Sequence, residues 1–187
     1  MIGLSGTNNR WMRGAAGAAI VVAATVLSAP GSAVATTSAP APAQLSPQDR
    51  DEMLADHNRA RAAVGVPALV WDDALAAEAQ AWANDPASTA GGELRHKEPF
   101  EARNRHGENM SGAPPADATD QWVSEKAGYD VNPMDPATGH YRQVAWNTTQ
   151  RVGCGARSGA PIRGAGWVTV CRYDPPGNWP GQLPYPA

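Results

Sequence analysis

The sequence has only two cysteines among its 187 residues. In an exported chain that number is most simply one disulfide bridge. It has no surplus of positive charge. All eighteen acidic residues follow Ala35, with thirteen of the fifteen basic ones, so the chain after Ala35 carries a net charge of −5. That argues against nucleic acid or an anionic membrane surface as a partner. No apolar run reaches the roughly 20 residues that a membrane span needs. There is no internal repeat and no heptad run. There is no Gly-x-Ser-x-Gly elbow around a nucleophile and no His-Glu-x-x-His helix, so two common routes to hydrolysis are missing.

The first stretch does not read as part of a folded domain. Arg10 and Arg13 form a basic start, Gly14 to Ala29 is apolar, and Ala33-Val34-Ala35 is a small-x-small site. This pattern predicts a secretory signal peptide over residues 1–35 and an extracellular mature protein. Residues 36–46 begin TTSAPAPAQ and offer almost nothing to bury, which predicts a Pro/Ala-rich linker. Residues 47–187 remain as one domain. The Ala, Gly and Pro content of the leader suggests a high-GC bacterial source.

Ser46-Pro47 is a strong helix start, and Met53, Leu54, His57, Ala60, Arg61 and Val64 recur at helical spacing up to Gly65. Residues 66–71 read as extended. Asp72 and Asp73 open a second helix with Leu75, Ala79 and Trp82 on its apolar face, and Asp85-Pro86 closes it. Residues 87–105 are polar and irregular. Residues 106–110 form a short strand or turn, a third helix covers about Ala116 to Gly128, and Asp130 to Thr138 is a loop. Residues 150–157 and 166–173 are strands. If Cys154 opposes Cys171 in an antiparallel pair, partners sum to 325 and Ser158 faces Trp167. Residues 159–166 are then the connecting loop, and the two cysteines have the short separation that a disulfide requires.

Gly139-His140-Tyr141-x-Gln143-Val144-x-Trp146 resembles the first signature of the CAP superfamily. That group holds cysteine-rich secretory proteins, antigen five and class-one pathogenesis-related proteins. Cys171-x-Tyr173-x-Pro175-Pro176-Gly177-Asn178 is similar to its second signature. His57-Asn58-x-x-Arg61 and Gly107-Glu108-Asn109 resemble its first-helix and central motifs, and the ending at Tyr185 resembles the tail of the plant members. The likeness implies an α+β fold, a three-layer α-β-α sandwich (CAP/SCP fold) around a small, mainly antiparallel sheet. Arg142 stands where Thr is usual, Ala145 replaces a bulkier aliphatic, and Met110-Ser111 follows the central triplet. Arg142 would place a charge near the mouth of the family's cleft.

The resemblance also implies that His96, Glu108, Glu125 and His140 converge in that cleft. Two imidazoles suit zinc or another divalent cation, and carboxylates or waters complete the shell. A buried polar network locking loops to helix and sheet is the competing reading. His106 rivals His96, but Arg103 and Arg105 beside it suggest a solvated basic turn. His57 is expected to pin the first helix by hydrogen bonds. The tryptophans at 71, 82, 122 and 146 are expected in the core.

The resulting expectation is a secreted binding module with a metal-holding cleft and, as in some family members, a sterol or other lipid bound elsewhere. The alternatives are a metal-assisted hydrolase or protease using Glu108 and Glu125, and a structural or defence-related role at the cell surface. No residue declares a substrate pocket, which puts binding ahead of catalysis.

Overall fold

The computed structural model describes residues 45–97, 106–129 and 135–186. The proposed signal peptide and the stretch Thr36–Gln44 lie outside the described residues.

Helix α1, Pro47–Ala62, starts as its sequence suggests. The Ser46 hydroxyl accepts from the Asp49 N–H at 3.1 Å, and the Asp49 carboxylate accepts from the Ser46 N–H at 3.0 Å. This reciprocal capping satisfies donors that a helix start otherwise leaves free. Strand β1, Val70–Trp71, leads into α2, Asp73–Asn84, which is capped by Asp72 and stopped before Pro86. A short 3₁₀ turn, Pro86–Thr89, follows. Strand β2 is Gly107–Ser111, and helix α3 is Pro115–Ser124. The helix expected to reach Gly128 changes hand-over at Glu125, where a 3₁₀ turn, Glu125–Gly128, takes its place. Part of the expected loop before Gly139 is also a turn, Pro136–Thr138, whereas residues 130–134 lie outside the described residues. Helix α4, Gly139–Val144, holds the first signature. Strands β3, Arg151–Ile162, and β4, Ala165–Asp174, complete the fold.

The four strands form one mixed sheet in the order β1-β3-β4-β2, with β1 parallel to β3 and the other pairs antiparallel. Cys154 pairs with Cys171 and Ser158 with Trp167, as the register argument requires. The eight-residue loop expected at 159–166 is instead more strand. The register shifts between Ser158 and Ile162, after which Ile162 pairs with Ala165 across a tight turn. Gly159 and Gly164 both hold positive φ, at 69° and 73°, and so supply the irregularity and the turn. The Cys154–Cys171 disulfide is formed.

Period-two alternation divides the strands between two cores. Val152, Cys154, Cys171 and Tyr173 pack with Met53 of α1, Trp122 of α3 and Val144 of α4. Val168, Val170 and Met110 pack with Ala79, Trp82 and Ala83 of α2. The sheet therefore lies between α2 and a layer made by α1, α3 and α4, as the α-β-α expectation has it. Gly153 and Gly155 let α2 approach closely, since a Cβ on either would strike the α2 backbone. Trp82, Trp122 and Trp146 are buried as expected, while Trp71 is only half-buried with the Arg50 guanidinium 5.9 Å from its ring.

Candidate functional site

Helix α4 has no side-chain cap of its own at Thr138. Glu125 performs that task from fifteen residues upstream. Its Oε2 accepts from the backbone N–H of His140 at 3.0 Å and of Tyr141 at 3.1 Å. Its Oε1 lies 2.6 Å from His140 Nδ1. A carboxylate only accepts, so Nδ1 carries the hydrogen and Nε2 is the ring's remaining coordinating atom. The Trp122 ring lies against the imidazole, 6.2 Å between centroids and 30° between planes. Asn109 Nδ2 holds the His140 carbonyl at 3.1 Å. Carboxylate, indole and amide together fix the ring.

The second pair is built the same way. Glu108 Oε1 lies 2.5 Å from His96 Nδ1 and accepts from the Lys97 N–H at 3.2 Å. Glu108 Oε2 stands 2.9 Å from Arg172 Nη2, an ion contact at the right distance without the alignment of a hydrogen bond. The Glu108 and Arg172 side chains are 2 % and 5 % exposed. They face each other across β2 and β4, so the sheet register brings them together. The two imidazoles are reachable from solvent, with side-chain exposures of 36 % for His96 and 37 % for His140. Among the described residues no hydrogen bond engages either Nε2.

The four candidate residues thus fall into two His–Glu pairs. Among the described residues no group of three or more His, Cys, Asp or Glu side chains is gathered as a metal centre would need. His106 is spent elsewhere, with Nδ1 3.0 Å from Glu78 Oε2. Arg142 lies near enough to Glu125 for its charge to act there, but it is not exposed. It is buried beneath the turn at Asp135, whose carbonyl accepts from its Nη2 at 3.1 Å, and burial lowers its pKa from the ordinary arginine value.

The remaining motif residues form locks. His57 is fully buried, with Nδ1 2.7 Å from the Met53 carbonyl and Nε2 2.8 Å from the Tyr173 hydroxyl. Asn109 donates to that hydroxyl at 3.2 Å. Nδ1 must donate to the carbonyl. Burial holds the His57 pKa down at about 4 and so keeps the ring neutral, which leaves Nε2 to accept from the Tyr173 hydroxyl. Asn58 bonds both the N–H and the C=O of Leu69, at 2.7 and 3.1 Å. Gln143 Oε1 accepts from the Gly177 N–H at 2.9 Å, and Asn178 Nδ2 donates to the Gly139 carbonyl at 2.8 Å. These bonds tie the second signature to the first. Gly107 is required because a Cβ there would overlap the Gln143 carboxamide. Buried Trp146 lies where a Cβ on Gly177 would have to go.

Sequence reasoning missed Arg172. The signal was present: a cation inside the buried run Val168–Tyr173 needs a partner. It also missed the role of Glu125 as the cap of α4, which no local spacing encodes.

The family model of the cysteine-rich secretory protein family (CAP) matches residues 54–173, and the chain belongs to that family. Among curated relatives, the basic form of pathogenesis-related protein 1 from Nicotiana tabacum is 41% identical over 152 residues, 76% of this chain and 77% of that protein. Pathogenesis-related protein 1 from Arabidopsis thaliana is 38% identical over 154 residues, 78% and 86% of the two chains. Both are plant proteins, so they give the bacterial reading of the leader no support. Among solved structures, the venom allergen-like protein 4 of Schistosoma mansoni has a TM-score of 0.54 and 24% identity, covering 76% of this chain and 96% of that one. NaASP2, solved with Zn2+, has a TM-score of 0.56 and 22% identity, covering 75% and 86%. These two likenesses establish the CAP fold.

Proposed function

We propose that this is an exported binding module in which His96 and His140 hold one divalent cation, zinc by donor type, through their Nε2 atoms. One observation carries the reading. Each imidazole is gripped at Nδ1 by a glutamate that is itself anchored, which is how proteins orient histidine ligands and raise their basicity. Glu108 and Glu125 are then supporting groups rather than ligands, and waters complete the shell. Such an ion would supply Lewis acidity and an exchangeable position. NaASP2, a neighbour in fold alone, was crystallised with Zn2+.

Binding stands ahead of metal-assisted hydrolysis because both glutamates are already committed. Glu125 accepts three bonds, and Glu108 faces His96, Lys97 and Arg172. Neither is free to take a proton from a bound water. Export rests on the leader pattern and on the bridge between the only two cysteines.

Zinc titration by calorimetry tests the centre. We expect His140→Ala and His96→Ala each to abolish the site, and Glu125→Gln to weaken it by about 10–100-fold. Equal affinity in wild type and His140→Ala would remove the reading.

The apolar-ligand part of the reading rests on a separate cleft of about 340 Å³ between the starts of α1 and α2, where Leu45, Pro47, Trp71 and Ala77 line the wall together with the polar Arg50, Asp73 and Gln80. A cholesterol-solubilisation assay with wild type and Trp71→Ala tests it. Saturable uptake reduced by the substitution is the expected result, and no uptake by wild type would end that part of the proposal.

A further inference from the structure

A second cleft, of about 500 Å³, lies at the free end of the β3–β4 hairpin and is lined by no residue of either His–Glu pair. Ligand clefts commonly fall between about 300 and 1,000 Å³. Strand β2 pairs with β4 only as far as Ser111 and Thr169, so residues 165–168 run on past the end of β2. Alternation puts Trp167 on the same face as Thr169 and Cys171, the side on which α3 packs. Trp167 is partly exposed and lines the cleft. Among the described residues its indole N–H has no acceptor, whereas those of Trp71, Trp82, Trp122 and Trp179 each have one.

Asp117 and Gln121 line the same cleft from α3, one helical turn apart and both exposed. The Gln121 carboxamide is held, because its Oε1 accepts from the Ser111 hydroxyl at 2.8 Å. That leaves Nε2 as a free donor in a fixed orientation. The Asp117 carboxylate has no partner among the described residues. The intervening loop is tied at Ala113 by two hydrogen bonds: the Ala113 N–H donates to Ser111 Oγ at 3.0 Å, and Thr169 Oγ1 donates to the Ala113 carbonyl at 2.8 Å.

The chemistry of this set is selective. A lone carboxylate as the only charged lining group disfavours anions. A metal cation would need acceptors alone, and a quaternary ammonium would use the indole face and the carboxylate but leave both the free amide donor and the free indole donor unused. Hydroxyl groups both donate and accept, and the apolar face of a sugar ring suits an indole. We propose that this cleft binds a neutral oligosaccharide, with Trp167 as the stacking surface, Gln121 as donor and Asp117 as acceptor.

Titration of the purified protein with cellotetraose and with tetra-N-acetylchitotetraose tests this, followed through the tryptophan indole resonances by NMR. Choline chloride serves as the cationic comparison. The expected result is a saturable shift of one indole resonance with at least one sugar. That resonance should vanish in Trp167→Ala, with affinity at least tenfold weaker, about 1.4 kcal/mol. Gln121→Ala and Asp117→Asn, at exposed positions, should each weaken binding at least threefold with an unchanged thermal midpoint, and they carry the test if Trp167→Ala does not fold. No saturable shift with either sugar, sugar binding untouched by Gln121→Ala and Asp117→Asn, or saturation by choline alone would each overturn the proposal. Zinc affinity is expected to be the same in these variants, so this proposal and the metal reading fail separately.

Discussion

At the scale of single residues, the protein spends its buried polar groups on position. Among the described residues Arg61 has no carboxylate partner. Its guanidinium donates instead to the carbonyls of Pro67, Val144, Trp146 and Thr149, at 2.6 to 2.9 Å, and burial pulls its pKa down to about 10. Lysine cannot reproduce that planar fork. We therefore expect Arg61→Lys to destabilise the fold by about 3 kcal/mol or more, read as a lower urea midpoint, because it strands buried carbonyls. His57 gives a pH signature. Its pKa is about 4 in the folded chain against an ordinary 6.5, so the unfolded chain takes up a proton first as pH falls. The contribution of neutral His57 is complete above about pH 6.5 and is lost progressively between 6.5 and 4, roughly 3 kcal/mol in all. Between pH 7.5 and 4.5, wild type should lose about 2 kcal/mol more stability than His57→Gln. Parallel curves for the two proteins would show that His57 is not the group responsible.

At the scale of elements, what the sequence disclosed depended on how local the cause was. The starts of α1 and α2 were legible because Ser46 and Asp72 cap their own helices. The pairing of β3 with β4 was legible because two cysteines fix a register. The end of that hairpin was not, since glycines at positive φ continue the ladder where a loop would also have suited them. Helix α4 was read only as a motif. It is six residues long, and its N-terminal donors are satisfied by Glu125 from a different element. The pairing of Glu108 with His96 and of Glu125 with His140 was equally out of reach, because separations of twelve and fifteen positions carry no local rule. Where elements meet closely, the prediction is steric. Gly155→Ala would drive a methyl into the α2 backbone at Gln80, and Gly107→Ala into Gln143. Both should lower the thermal midpoint, and Gly155→Ala by more, because backbone yields less than the end of a side chain.

At the scale of the whole molecule, the two signatures and the central triplet are chiefly a locking device. Gln143, Gly177, Asn178, Asn109 and Tyr173 hold α4 against the sheet. The disulfide staples the two central strands beneath them, and its removal by Cys154→Ala with Cys171→Ala should cost about 3 kcal/mol in the chain-entropy account. The result of this locking is that two imidazoles are each held at Nδ1, with no hydrogen bond to Nε2 among the described residues, and the proposed function gives that nitrogen its use.

A zinc-soaked crystal with anomalous scattering collected at the zinc edge tests that claim most directly. The account predicts a single peak about 2.0–2.1 Å from Nε2 of both His96 and His140, with neither glutamate in the coordination shell. A peak on one histidine alone, or none at either, would contradict it.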